Sequence, residues 1–288
     1  CSRFSGSLFP KTLTPRVAVD FALQEVEYNF VYQEQLNLKT KKATGLDEIP
    51  ARLMKISAQE IAKPITYLIN LTITSGIIPK EWKEAKVTPI YKEKKKKDVN
   101  NYRPISILPL ISKLMERAVQ IQLIAFLTEN DVLSAYQSGF RKCHSTDTAD
   151  IFLSDYILEN MDNQKTTGAI FIDLKKAFDL VDHYCLLKLE HYRIRGQSYN
   201  WFANYLAERS QRTKYRGELS SNLPLHYGVP QGSILGPLLF VLYINDLPQC
   251  LSKSQISMYA DDTMIYFSAT KSCNIEVTLQ SDINKVEG

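Results

Sequence analysis

The sequence predicts an α+β protein in which helices cover one face of a small sheet. Segments of helical periodicity alternate with short apolar, strand-like runs in no steady β-α-β rhythm, which argues against a doubly wound parallel sheet. Two of the apolar runs carry carboxylates, "FIDL" at its end and "YADDT" in its middle. With 288 residues, 44% hydrophobic and 23% charged, the chain can bury a full-sized core as one large or two smaller domains.

Residues 1 to 45 read as a lead-in around a helix from Val17 to Leu36, followed by the basic stretch "NLKTKKATG". In "GLDEIPARLMK" a turn and a capping Asp47 precede a short helix, and Ser57 with Glu60 forms an S-x-x-E capping box for the next one. Pro64 should kink that helix, and Gly76 and Pro79 should end it. "WKEAKVTPIYK" reads as a strand through Ala85, Val87 and Ile90. It leads into Lys92, Lys94, Lys95, Lys96 and Lys97, a solvated loop on the plain reading and a holder of phosphate backbone on the other.

From Ser106 to Leu127, Ile111, Leu114, Met115, Ala118 and Ile121 recur at helical spacing, with Lys113, Glu116, Arg117 and Gln120 between them. A second amphipathic helix runs from Thr146 to Met161, with Ala149, Phe152, Leu153, Tyr156 and Ile157 inward. The unbroken run Ala169 to Ile172 predicts a strand buried on both faces and ended by Asp173. Residues 183 to 209 read as helical, capped by Asp182, and "RTKYRGELSSNLPLHYGVPQGS" as short strands and turns before an apolar helix near Ser233. Ile256 to Tyr259 and Met264 to Phe267 predict two strands joined by a turn of Asp261 and Asp262, and Ser281 reads as the cap of a last helix.

Several function classes are disfavoured. No run of eighteen apolar residues and no signal-peptide pattern occurs, so neither a membrane nor secretion is expected, and an intracellular site, nuclear or cytoplasmic, is. Five cysteines without C-x-x-C spacing argue against a disulfide framework, and neither Cys143 with His144 nor His183 with Cys185 has a zinc-finger partner. The net charge is a modest +4.

A buried ionised carboxylate is costly unless paired or metal-bound, and adjacent ones repel. If the strand ending at Asp173 lies beside the hairpin carrying Asp261 and Asp262, three carboxylates converge. Such oxygen ligation suits Mg²⁺, which binds a few carboxylates together with substrate phosphates. Two such ions would serve phosphoryl transfer. Asp179, Asp182 and Asp246 are explained by capping and surface exposure.

Taken together, "TGLDEIPARLMK", "WKEAKVTPIYK", "NYRPISILPLISKLMERAV", "QSGFRKCHSTDTA", "FIDLKKAFDLVDH", "GVPQGSILGPLLFVLYINDL" and "YADDT" resemble, in order, the reverse transcriptase domain of non-LTR (LINE-type) retrotransposons from about Thr44 onward. The resemblance implies a right-hand polymerase: a lead-in over 1–43, mainly fingers over 44–165, and mainly palm over 166–288 with a small antiparallel sheet packed on helices. By that resemblance both ends look cut, and the thumb and primer-gripping segments are expected to lie outside this sequence.

It implies Asp173 and Asp261 as firm metal ligands, Asp262 beside them, and assistance from the Leu174 carbonyl. Two Mg²⁺ ions are expected, with Mn²⁺ able to substitute. Phe178 falls where the family sets a ring against the sugar of a deoxynucleotide, and Gln231 and Gly232 where it contacts the nucleotide. Arg103 and Arg141 lie in regions resembling those that hold triphosphate and template. The implied partners are an RNA template, a DNA primer and deoxynucleoside triphosphates. An inactive remnant that only binds nucleic acid, and an RNA-directed RNA polymerase, are the alternatives.

Overall fold

The computed structural model describes residues 17–93, 95–141, 144–183 and 185–287. Part of the expected lead-in, Lys94 of the lysine run and Cys143 lie outside them. Helix α1 spans only Tyr28–Leu36. The expected helix from Val17 is instead extended chain, pinned where the Phe21 N–H donates to the Arg193 carbonyl at 2.9 Å. Helix α2 (Ala51–Ile56) follows Pro50, and the Asp47 carboxylate accepts from Ile49 in a local turn rather than capping it.

Helix α3 (Ala58–Ser75) runs through Pro64 and stops at Gly76, whose φ of 71° supplies the left-handed cap. The expected capping box does not form. Ser57 closes α2 and opens α3 at once, so its hydroxyl donates to the Leu53 carbonyl at 2.8 Å. A short α4 (Lys80–Lys83) precedes β1 (Glu84–Tyr91), a basic loop and β2 (Tyr102–Ile107). Helix α5 (Leu110–Glu129) starts four residues later than expected because Ser106 belongs to β2.

Helix α6 (Thr146–Asp162) has a genuine capping box, in which Ser145 and Thr148 exchange hydrogen bonds. Strand β3 (Thr166–Asp173) follows. The expected helix after Asp182 is broken into a 3-10 turn (Cys185–Tyr192) and α7 (Gly196–Leu206). Then come β4 (Arg209–Tyr215), β5 (Glu218–Leu219), β6 (Leu223–Leu225), α8 (Gly236–Tyr243), β7 (Gln255–Tyr259), β8 (Asp262–Ala269) and α9 (Ser272–Glu287). Ser281 therefore lies within α9 rather than at its cap.

The chain forms two compact units that interleave along the sequence. The larger comprises Val17–Asn130 and Phe178–Leu239. The smaller includes Asp131–Ala177 and Phe240–Gly288, so the expected boundary between residues 165 and 166 falls inside it. In the larger unit a sheet runs β2-β1-β4-β5, with β6 also on β4; β1 and β4 are parallel and the other pairs antiparallel. Its helical core is built on Met115, Val119, Leu123 and Leu127 of α5, Ala62 and Ile69 of α3, and Trp201, Phe202 and Tyr205 of α7. The Trp201 and Tyr205 rings stack at 5.5 Å.

The smaller unit holds the antiparallel sheet β3-β8-β7. Residues 136–138 extend it beyond β7, where Ser138 donates to the Met258 carbonyl and Met258 to that of Tyr136, both at 2.9 Å. Side chains alternate across a sheet, so the register settles what each face meets. Gly168, paired with Phe267, faces α9: a Cβ there would lie 2.4 Å from Ile275. Tyr266, one residue out of phase with Phe267, meets Tyr156 of α6 on the opposite face, ring to ring at 4.9 Å. Helices thus cover both faces of this sheet, not one.

Strand β3 is the edge of that sheet, and it is not buried on both faces. Phe171 is 81% exposed, because Ala169, Phe171 and Asp173 point away from α9 while Gly168, Ile170 and Ile172 point toward it. Phe152 of α6 is likewise 76% exposed instead of turned inward.

Asp282 ties α9 to the entry of β7. Its carboxylate accepts the N–H groups of Ser252, Lys253 and Ser254 at 3.0, 3.1 and 2.9 Å and pairs with Lys285 at 2.9 Å. Although burial pushes its pKa up, those hydrogen bonds prevail and hold it well below the usual carboxylate range. A depressed folded-state pKa gives stability that is full above the unfolded carboxylate pKa and is lost as pH falls below it toward the folded value. Asp282→Asn should lower the melting temperature at pH 7 by about 5 °C. The gap from wild type should begin to narrow as melts are taken below about pH 4 and shrink further with each step toward lower pH.

Candidate active site

The hairpin β7–β8 turns on two residues, Ala260 and Asp261, with Tyr259 and Asp262 as its last paired positions. The expected turn of Asp261 and Asp262 is therefore shifted by one: Asp262 opens β8. Ala260 has φ 56°, a left-handed conformation at the first loop position that disfavours a residue with a Cβ. On its other side Asp262 pairs with Asp173 of β3. Residues directly opposite on antiparallel strands share a face with their Cβ atoms about 5 Å apart, so the Asp173 and Asp262 side chains are neighbours.

Asp173 and Asp262 are exposed and Asp261 is half-buried. Among the described residues, no three His, Cys, Asp or Glu side chains already stand close enough to enclose a metal ion. The set instead offers oxygen donors at an open sheet end. That fits a hard cation such as Mg²⁺, which keeps part of its shell for water and substrate phosphates. The Leu174 carbonyl accepts from the Ala177 N–H at 3.2 Å, which leaves a second lone pair. Arg141 is half-buried, and one of its nitrogens donates to the Ser134 and Gln137 carbonyls at 2.7 and 3.0 Å. That bracing of a loop is a structural use of the arginine, through carbonyl hydrogen bonds rather than an ion pair.

Phe178, Gln231, Gly232 and Arg103 belong to the larger unit. The "GVPQGS" loop docks there on the segment after β3's end: Gly228 donates to the Val181 carbonyl at 2.7 Å and Val229 to that of Phe178 at 2.8 Å. The Gln231 amide donates to Asp179 at 2.8 Å, while its carbonyl accepts from Ser106 at 2.7 Å. Gly228 and Gly232 have φ of 86° and 123°, and added Cβ atoms would lie 2.7 Å from the Asp179 carbonyl oxygen and 2.4 Å from that of Ser106. The glycines thus serve close approach of the loop to its own protein backbone, where the sequence suggested approach to a ligand. His183 likewise bonds the Gly228 carbonyl at 2.6 Å. Arg103 lies exposed on β2, opposite Ile90.

Asp179, set aside as a cap from the sequence, is therefore the partner that orients Gln231. Glu116 was missed as well, because its place in the α5 pattern reads as solvent-facing. It is fully buried, accepting the Tyr205 hydroxyl at 2.9 Å and the Ile234 N–H at 2.5 Å just beyond "PQGS". Burial pushes its carboxyl pKa up, opposed first by the charge of Arg209 and then by these hydrogen bonds. Arg209, also buried, lies 4.8 Å over the Tyr205 ring.

A family model described as "Reverse transcriptase (RNA-dependent DNA polymerase)" matches residues 94–287. The chain belongs to the reverse transcriptase family. More particularly, it is similar to polymerases of non-LTR retrotransposons. It is 32% identical over 247 residues to the "Probable RNA-directed DNA polymerase from transposon BS" of Drosophila melanogaster, covering 83% of this chain and 27% of that protein. It is 32% identical over 236 residues to the "RNA-directed DNA polymerase from mobile element jockey" of the same species, covering 79% and 26%. With that species' "Probable RNA-directed DNA polymerase from transposon X-element" the figures are 29% over 261 residues, 88% and 29%. The chain thus spans under a third of the length of these relatives.

Removing the Glu116 carboxylate would leave the buried Tyr205 hydroxyl and the Ile234 N–H without their acceptor. Glu116→Ala should therefore destabilise the protein by about 2–4 kcal/mol, read by urea unfolding, and Glu116→Gln, which keeps an acceptor for Ile234, by less.

Proposed function

We propose that this chain carries the nucleotidyl-transfer centre of an RNA-directed DNA polymerase, adding deoxynucleotides to a DNA primer on an RNA template. The observation that carries this reading is the register that sets Asp262 opposite Asp173, with Asp261 next to it in the turn. In this reading the three-stranded sheet is the core of the palm, and the β1–β2 hairpin with Arg103 belongs to the fingers.

Asp173 and Asp261 would hold two Mg²⁺ ions, with Asp262 and the Leu174 carbonyl in support. When bound, such ions lower the pKa of a primer 3′-hydroxyl and neutralise charge on a departing pyrophosphate. Gln231, oriented by Asp179, would position the incoming nucleotide. Phe178 would place its ring against the sugar so that a 2′-hydroxyl clashes, and Arg103 and Arg141 would contribute positive charge toward triphosphate or template. No helix among the described residues is long and apolar enough to cross a membrane, and none is needed here.

Primer extension on an RNA template with deoxynucleotides and Mg²⁺ tests this. Asp173→Asn and Asp261→Asn should each lower extension by at least about 100-fold, and Asp262→Asn by less. Equal extension by wild type and Asp261→Asn would refute the metal assignment, and no extension by wild type would favour a remnant that only binds nucleic acid. In the same assay Phe178→Val should improve ribonucleotide use relative to deoxynucleotide use roughly 10-fold. An unchanged ratio would remove Phe178 from the site.

A further inference from the structure

Gln137 is a wholly buried glutamine in the smaller unit, at 0% exposure, and its amide is spent on Ala260, the first residue of the β7–β8 turn, and on Gly139. Its Oε1 accepts the Ala260 N–H at 2.9 Å and the Gly139 N–H at 2.7 Å, and its Nε2 donates to the Ala260 carbonyl at 3.4 Å. Two N–H donors on one atom fix which end of the amide is oxygen. The side chain therefore grips the same residue at its N–H and its C=O, and that residue immediately precedes Asp261.

Three further features make this grip a built one. Ala260 holds φ 56°, which an L-residue leaves readily unless its surroundings determine it. Gly139 passes so close that an added Cβ would lie 2.2 Å from the Ala260 nitrogen, so the strut and the turn are packed backbone to backbone. The strut itself is anchored: Tyr136 and Ser138 hydrogen-bond Met258 of β7, and Arg141 holds the Ser134 and Gln137 carbonyls. Asn245 fastens its base, accepting from Ser134 at 2.7 Å and donating to Val132 at 2.8 Å.

We infer that Gln137 is a positioning residue for Asp261 and Asp262, holding the strained Ala260 so that the carboxylates keep the separation a metal ion requires. The inference rests on the polymerase reading above. An apolar residue would fill the same space but would leave the Ala260 and Gly139 N–H groups buried and the turn free to relax. Because glycine adopts positive φ without a Cβ penalty, a turn with glycine at 260 should need the grip much less.

The test compares wild type, Gln137→Met, Ala260→Gly and the double variant by Mn²⁺ binding, followed by electron paramagnetic resonance, and by primer extension. Gln137→Met should weaken Mn²⁺ binding about 10-fold and slow extension about 100-fold at saturating deoxynucleotide, with the KM for deoxynucleotide unchanged. The double variant should recover much of both losses, which a simple packing defect would not allow. Wild-type Mn²⁺ binding and extension in Gln137→Met would overturn the inference alone, as would a loss that Ala260→Gly leaves untouched. A wild-type chain that neither binds Mn²⁺ nor extends a primer would overturn the polymerase reading, and this inference with it.

Discussion

The constraint on which the smaller unit turns is the meeting of like charges at one end of its sheet. Asp173 and Asp262 face each other across β3 and β8, with Asp261 beside them in the turn. Like charges directly opposite on antiparallel strands destabilise the pairing. The pairing is sustained along its length by other means: Ile265 in the buried middle of β8, the Thr167 and Ser268 hydroxyls at 2.8 Å, Tyr266 against Tyr156 on one face, and Ile275 and Leu279 of α9 on the other. Asp282 then fixes α9 to the chain entering β7. The sheet's stability lies away from the carboxylates, which leaves its charged end available for a cation.

The larger unit shows the same economy with buried and half-buried polar groups, each used to hold a loop. Glu116 accepts from the backbone just after "PQGS", Asp179 accepts from the Gln231 side chain, and the Ser106 N–H of β2 donates to the Gln231 carbonyl. A loop fastened at three points keeps its geometry without a ligand, which is the preorganisation that positioning of reacting groups demands. Gln137 does in the smaller unit what these residues do in the larger. Polar side chains that perform none of the predicted chemistry thus carry the shape of the parts predicted to perform it.

Much of this was readable from residue order. The β7–β8 hairpin, the strand ending at Asp173, the short strands after Arg209 and the helices α3, α5 and α6 follow from periodicity and from Gly76 as a stop. What failed did so for physical reasons. Ser57 could not cap because it also closes the preceding helix, and the run Ala169 to Ile172 looked buried on both sides because an edge strand cannot be told from a central one by hydrophobicity alone. Glu116, Asp179 and Gln137 escaped because what a polar residue bonds depends on partners distant in sequence: Gln137 lies 123 residues from Ala260. The one-residue shift of the turn also escaped, since two adjacent aspartates look like a natural loop while Ala260 does not.

The most direct measurement of the central claim is thermal melting of wild type and Asp173→Asn with and without Mg²⁺. If the opposed carboxylates repel and a divalent cation relieves them, Asp173→Asn melts higher than wild type without the ion, and Mg²⁺ raises the melting temperature of wild type alone. A variant that melts lower than wild type without the ion, or an equal Mg²⁺ effect on both proteins, would contradict the account.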